Sequence, residues 1–262
     1  MLTIFWNSRS SMTANQEKMD AISNNIANSE TDGYKRETVS FKDLVYDTFK
    51  KNGYAVTDNT TRGQDPFTGT GVRAADWIRD NTQGPLQVTN QATDLAIDGP
   101  GYFRLTDTNG NKVYSRAGKF EIDGNGQLVD SKGNRLDIQY NAGVDPKTVQ
   151  FTKDNFTISS DGNITVKENG NYVNVGKISL YQSQGSEAFA SIGDNLYQPV
   201  NGAAVTTVTG SDIRQNMLEG SNVDMGQEMT DMIVTQRAYE LGSKGIKVAD
   251  DMWNLANNLR GK

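Results

Sequence analysis

Apolar residues recur along the chain with two different periods, and the change of period divides it. Near the start, Phe5, Met12, Met19 and Ile26 stand seven residues apart, with Ile22 between the last two. That spacing predicts a single helix with a heptad seam, as in a coiled coil. Ser8 and Asn15 fill the alternate seam positions, so the seam is thin. The pattern stops near Ala27-Asn28, and Thr31-Asp32-Gly33 supplies a helix stop and turn. At the other end Met225, Met229, Met232, Ile233, Tyr239, Ile246, Met252, Trp253 and Leu259 recur mostly three, four or seven residues apart. Ala238, Gly242, Gly245, Ala249 and Ala256 form a neighbouring stripe of small residues. Asn222 or Asp224 is the expected N-cap, Glu228 suits the first turn, and Arg260 and Lys262 suit the last. Glycine inside a helix costs roughly 1 kcal/mol relative to alanine. Gly242 and Gly245 therefore predict that another helix comes close to this one.

Between the helices the period falls to two. Short strands are expected at Leu95–Ile97, Tyr102–Leu105, 112–114, 120–122, 127–129 and 136–138, and again at Phe156–Ile158, 164–166, 172–173 and 178–180. Asn109-Gly110, Asp123-Gly124-Asn125-Gly126, Lys132-Gly133-Asn134, Asp161-Gly162 and Asn169-Gly170 separate them with hairpin-turn chemistry. Connections this short exclude parallel crossovers, so the block, roughly 94 to 210, is expected to be antiparallel. Residues 50 to 76 carry Asn52-Gly53, Asp58-Asn59-Thr60-Thr61, Pro66 and several glycines, which predicts an extended or flexible connector. The fold class is α+β: N- and C-terminal helices forming a coiled-coil-like pair, with a central antiparallel β-rich domain. The expected division is 1–36 with 218–262 as a discontinuous helical assembly domain, 37–93 as connector and 94–217 as the β-rich domain.

Composition narrows the function. Hydrophobic residues make up 35% of 262, low for a compact chain, which suggests that part of it packs only against other molecules. A net charge of −6, without a basic run beyond Lys35-Arg36 or Lys50-Lys51, argues against nucleic acid, because phosphate binding needs clustered cations. The chain has no Cys and no His. This removes disulfides, thiolate nucleophiles, imidazole bases and the usual zinc and haem ligands. No stretch has the apolar length of a membrane span. Met1–Trp6 lacks a basic lead and is interrupted by Asn7-Ser8-Arg9-Ser10, so no secretory signal is expected.

Candidate chemistry is sparse. Asp123–Gln127 slightly resembles a calcium loop but lacks the acid at its fifth position and the later Glu, so a hairpin turn is expected. Asp94, Asp98 and Asp107 as a hydrolytic pair would need two carboxylates facing one cleft, which their spacing does not require. Gly99-Pro100-Gly101 is not followed by the Lys-Ser/Thr of a phosphate cradle. Asn-x-Ser/Thr occurs at Asn59, Asn155 and Asn163 and matters only in a eukaryotic secretory route. No cofactor or metal is expected. A Met stripe with small neighbours reads as an assembly or core face in preference to a peptide groove. Two helices cannot cover all these faces between them, so polymerisation is the natural solution.

Particular motifs carry a resemblance. Ala21-Ile22-Ser23-Asn24-Asn25-Ile26-Ala27-Asn28 with Thr31-Asp32-Gly33-Tyr34-Lys35-Arg36 resembles the N-terminal signature of the flagellar rod and hook proteins. Asp94–Gly99 with Gly101-Tyr102-Phe103, then Tyr114–Phe120 and Asp123–Val129, is similar to their central motif. Ser221-Asn222-Val223-Asp224, Glu228–Ile233 and Gln236–Glu240 resemble their C-terminal signature. Ala256–Arg260 and the short length look like the distal rod branch, with the proximal rod and short hook branches as neighbours; Asn7–Ser11 departs from the family pattern.

The resemblance implies a structural, non-enzymatic subunit of a tubular axial polymer that transmits torque from motor to hook. It would be exported without cleavage through the flagellar type III apparatus, its helices lining an inner tube and its β domain outside. Partners would be other copies, proximal rod proteins, hook protein and the bushing rings, with neither nucleic acid nor membrane insertion. The expected subunit interface is Phe5, Met12, Met19, Ile22 and Ile26 with Met225, Met229, Met232, Ile233, Tyr239, Gly242, Gly245, Ile246, Ala249, Met252, Trp253 and Leu259. A monomeric adhesion module and an acid-dependent hydrolase are the readings from other classes.

Overall fold

The computed structural model describes residues 2–44, 46–48, 67–69, 71–145, 149–153, 155–168, 170–183, 188–200 and 203–260. Two units share the chain: Met1–Ala27, Glu37–Asp80 and Asp224–Lys262 in one, Asn28–Arg36 and Asn81–Val223 in the other. Most of the connector expected over 50–76 lies outside the described residues.

The first unit holds helix α1 (Leu2–Ala27), strands β1 (Glu37–Asp43), β2 (Tyr46–Thr48), β3 (Phe67–Gly69) and β4 (Val72–Arg79), and helix α2 (Met225–Arg260). β1 and β4 pair antiparallel, with Val39 opposite Trp77 and a register shift before Phe41 meets Ala74; β2 pairs with β3. The Arg79–Glu37 ion pair, at 2.5 Å, joins the residues opposite each other at one end of the ribbon.

The second unit is built from β5 (Leu86–Val88), β6 (Leu95–Asp98), β7 (Tyr102–Thr106), β8 (Lys112–Ser115), β9 (Glu121–Ile122), β10 (Leu128–Val129), β11 (Arg135–Leu136) and β12 (Ile138–Tyr140). There follow β13 (Phe156–Ile158), β14 (Asn163–Glu168), β15 (Asn171–Ile178), β16 (Leu180–Ser183), β17 (Phe189–Gly193), β18 (Leu196–Pro199), β19 (Val205–Thr207), β20 (Asp212–Gln215) and β21 (Met217–Glu219). The pairings are antiparallel. The largest sheet runs β17-β18-β8-β7-β11-β10-β9, with β16 on β7 and β19 on β16. One four-residue step accounts for several hairpins of this unit. At Asp107, Asp123, Asp130 and Ser159 the N–H bonds the carbonyl four residues on, and the carbonyl accepts the N–H of the glycine three residues on. Each of those glycines, 110, 126, 133 and 162, has φ between 73° and 85°, which a side chain would disfavour.

The alternating strands bury Leu95, Ile97, Phe103, Leu105, Phe120, Leu128, Ile164 and Ile178 in one core. Phe103 and Phe120 meet edge to face at 5.6 Å, the arrangement that ring quadrupoles favour. A smaller cluster gathers Tyr114, Tyr181 and Tyr197. The Arg104 guanidinium lies 4.0 Å from the Tyr181 ring centre and pairs with Asp137.

Candidate assembly surface

Asp224 caps α2, its Oδ1 accepting the N–H groups of Gly226 at 2.8 Å and Gln227 at 3.1 Å. This satisfies two of the donors that a helix start leaves open. Glu228 follows in the first turn, fully buried, and accepts a hydrogen bond from Asn25 Nδ2 at 3.2 Å. Asn25 also grips the backbone of Glu37, donating to its carbonyl at 2.8 Å and accepting its N–H at 2.9 Å. One amide thus ties the end of α1, the start of β1 and the start of α2 together.

Further along, a β-carbon on Gly242 would lie 2.8 Å from Met12 Cγ, and one on Gly245 would lie 2.7 Å from Ser8 Oγ. The pairs 25–228, 12–242 and 8–245 run in opposite senses, so α1 and α2 lie antiparallel. The two glycines have their close neighbour in α1.

The residues expected at a subunit interface divide by exposure. Ile22 and Ala249 are buried; Met12, Met19, Ile26, Met232, Tyr239, Gly242, Gly245 and Ile246 are half-buried. Phe5, Met225, Met229, Ile233, Met252, Trp253 and Leu259 are exposed. Sequence reasoning missed a second apolar line on α2: Val234, Leu241, Val248 and Leu255, seven residues apart and 56–67% exposed. Its heptad spacing is the sequence signal that marks it. Met252 and Leu259 extend it four residues beyond Val248 and Leu255. α2 is therefore apolar on a flank that α1 leaves uncovered.

In the other unit, residues of two signature motifs, Lys35 and Arg116, meet at one buried carboxylate that sequence reasoning also missed. Glu219 Oε1 accepts from Lys35 Nζ at 2.6 Å and from the Gly84 N–H at 3.0 Å; Oε2 accepts from Arg116 Nε at 2.5 Å. The three charged side chains are at most 5% exposed. Arg116 also donates to the carbonyls of Ile97, Gly99 and Gly101, and Lys35 to that of Thr82 at 2.6 Å. Removing one partner from a buried pair of this kind costs about 3–5 kcal/mol. Nearby, burial pushes the Asp32 carboxyl above its ordinary pKa, against the attraction of Lys119 and with the repulsion of Asp94. Asp123 forms the expected hairpin turn, its carboxylate accepting from Gly124 N and Asn125 Nδ2. Among the described residues no three acidic side chains gather as a metal site, and no helix is long and apolar enough to cross a membrane.

Residues 6–35 match the family described as "Flagella basal body rod protein". Residues 96–166 match "Flagellar hook protein FlgE/F/G D1 domain" and 214–259 match "Flagellar basal body rod FlgEFG protein C-terminal". The chain is 35% identical over 270 residues to the flagellar basal-body rod protein FlgG of Borreliella burgdorferi, covering 99% of each chain. It is 34% identical to FlgG of Bacillus subtilis, covering 99% of this chain and 100% of that one. It is also 30% identical to the flagellar hook-basal body complex protein FlhP of Bacillus subtilis, covering 94% of each. By these full-length likenesses, with all three signatures in order, the chain belongs to the flagellar basal-body rod protein family.

Proposed function

We infer that the chain is a structural subunit of the distal rod of the flagellar basal body, assembled from copies of itself to carry torque from motor to hook. The observation that carries the assembly surface is the line Val234, Leu241, Val248 and Leu255, apolar and at heptad spacing yet exposed in the single chain. Burying it against the helices of neighbouring copies removes apolar area from water, at roughly 25 cal/mol per Å². The antiparallel contact of α1 with α2 supports a coiled-coil-like terminal pair as the assembly domain, with β1–β4 in the same unit. Phe5, Met225, Met229, Ile233, Met252, Trp253 and Leu259, exposed here, join the same interface, and the partly covered seam residues close it. The role is architectural, not catalytic. Proximal rod proteins, hook protein, ring proteins and the type III export apparatus are its neighbours and route.

Electron microscopy of basal bodies from a strain lacking only this gene tests the reading. A truncated rod without a hook is expected. A complete rod lacking only the hook would make the chain a hook protein, and intact flagella would overturn the axial role.

A further inference from the structure

Residues Asn28–Arg36 leave the unit that holds α1 and β1 and belong to the other one. They form turns and irregular backbone without a strand partner, so no ladder of backbone hydrogen bonds holds them. Among the contacts that hold them are several polar ones. The Gly33 N–H donates to the Glu219 carbonyl at 2.7 Å, and Lys35 Nζ donates to the Glu219 carboxylate and the Thr82 carbonyl, both at 2.6 Å. The Arg36 N–H donates to Asn222 Oδ1 at 2.7 Å, and Asn195 Nδ2 donates to the Asp32 carbonyl at 3.2 Å. Asn222 is itself anchored on Thr82, donating to its carbonyl and hydroxyl oxygens at 3.1 Å. Tyr34 is the one large apolar side chain that the segment buries.

We propose that Asn28–Arg36 is a strap and that the buried Glu219 is its catch, so that the strap docks only once β21, near the other end of the chain, is in place. Glu219 acts on the strap twice, through its backbone carbonyl and through its carboxylate. That carboxylate also faces Arg116, whose guanidinium gathers the carbonyls of Ile97, Gly99 and Gly101. The catch therefore has two sides. Lys35 is the strap's side, and Arg116 belongs to the body of the unit. A contact with a buried ion pair at its centre is weakened by losing one charge, because the remaining buried partner is then left short of compensation. The apolar core around Leu95, Phe103 and Ile164 is built from other side chains, so the strap opens below the energy of global unfolding.

Native-state hydrogen exchange read by mass spectrometry on the full chain tests this, with Lys35→Met and Glu219→Gln compared with the parent. Lys35→Met keeps an apolar stem in the same space and removes only the strap's charge. Exchange over residues 28–36 is expected to accelerate roughly a hundredfold or more, while the core strands β6, β7 and β14 exchange at parental rates. Glu219→Gln is expected to accelerate the same segment and also the 99–101 turn between β6 and β7, where Arg116 loses its partner. Parental exchange at 28–36 in Lys35→Met would overturn the proposal. So would equal acceleration in strap and core strands, or failure of Lys35→Met to fold, since the triad would then be an inseparable part of global stability.

Discussion

Asp32 sits where folding works against its charge. A carboxyl whose pKa rises on folding binds its proton more readily in the native state. Its contribution to stability is therefore fully present below the ordinary carboxylate value, about 4, and is lost as pH rises through the raised one. At neutral pH the ionised group is a liability, discounted because the side chain is partly solvated and Lys119 lies near. Asp32→Asn is expected to raise Tm at pH 7 by on the order of 1 °C, with the gain vanishing as pH falls toward 4. Thermal melts across that range check it; a lower Tm for the variant at pH 7 would mean that the Lys119 attraction outweighs burial. Asp224 stabilises the fold by capping, its side chain accepting two N–H groups at the start of α2. Asp224→Ala should cost about 1 kcal/mol, read as a shift in the denaturant midpoint with unchanged slope.

At the scale of elements, α2 has two apolar flanks with different neighbours, and substitutions on them separate folding from assembly. Leu241 is 67% exposed, so Leu241→Asp should leave the stability of the single chain within about 0.5 kcal/mol of the parent. It should nonetheless abolish polymerisation, because an unpaired charge in a dried seam costs several kcal/mol. Calorimetry with sedimentation reads both quantities, and normal polymers from this variant would sink the assembly face. Gly242→Leu should do the reverse and destabilise the single chain, since even a β-carbon there meets Met12. The two helices and the antiparallel block were legible in the sequence because periodicity records which face is buried. Asp224 was legible as a cap because the chemistry is local. Glu219 was not legible. It lies in β21, a three-residue strand that reads Met-Leu-Glu, and a buried carboxylate in a strand shows itself only when Lys35 and Arg116, far away in the sequence, are seen to face it. β20, which reads Asp-Ile-Arg-Gln, was missed for a related reason: its charges satisfy one another at the surface, with Arg214 bonding Asp98 and Asp212.

For the whole molecule, the unequal lengths of the helices decide what the single chain leaves unfinished. α2 has 36 residues and α1 has 26, so at 1.5 Å per residue about 15 Å of α2 has no counterpart in an antiparallel partner. The register set by Ser8 against Gly245 places that excess at the C-terminal end, where every residue from 251 to 259 is exposed. Two turns and more of isolated helix are marginal in water, because helix stability in proteins comes mainly from a packed face. This end also carries Met252, Trp253, Leu255 and Leu259, 42–80% exposed, a density of bare apolar surface that a second copy would cover. Ordering of this segment and assembly should therefore be one event. Hydrogen exchange over 251–259 should be close to that of an unfolded peptide in dilute chain and slowed by on the order of a hundredfold or more in the polymer. Exchange over β14 and β15 should be the same in both states. Full protection of 251–259 in dilute chain would show a terminal helix already complete, and the polymer would then have to gain its cohesion from another surface.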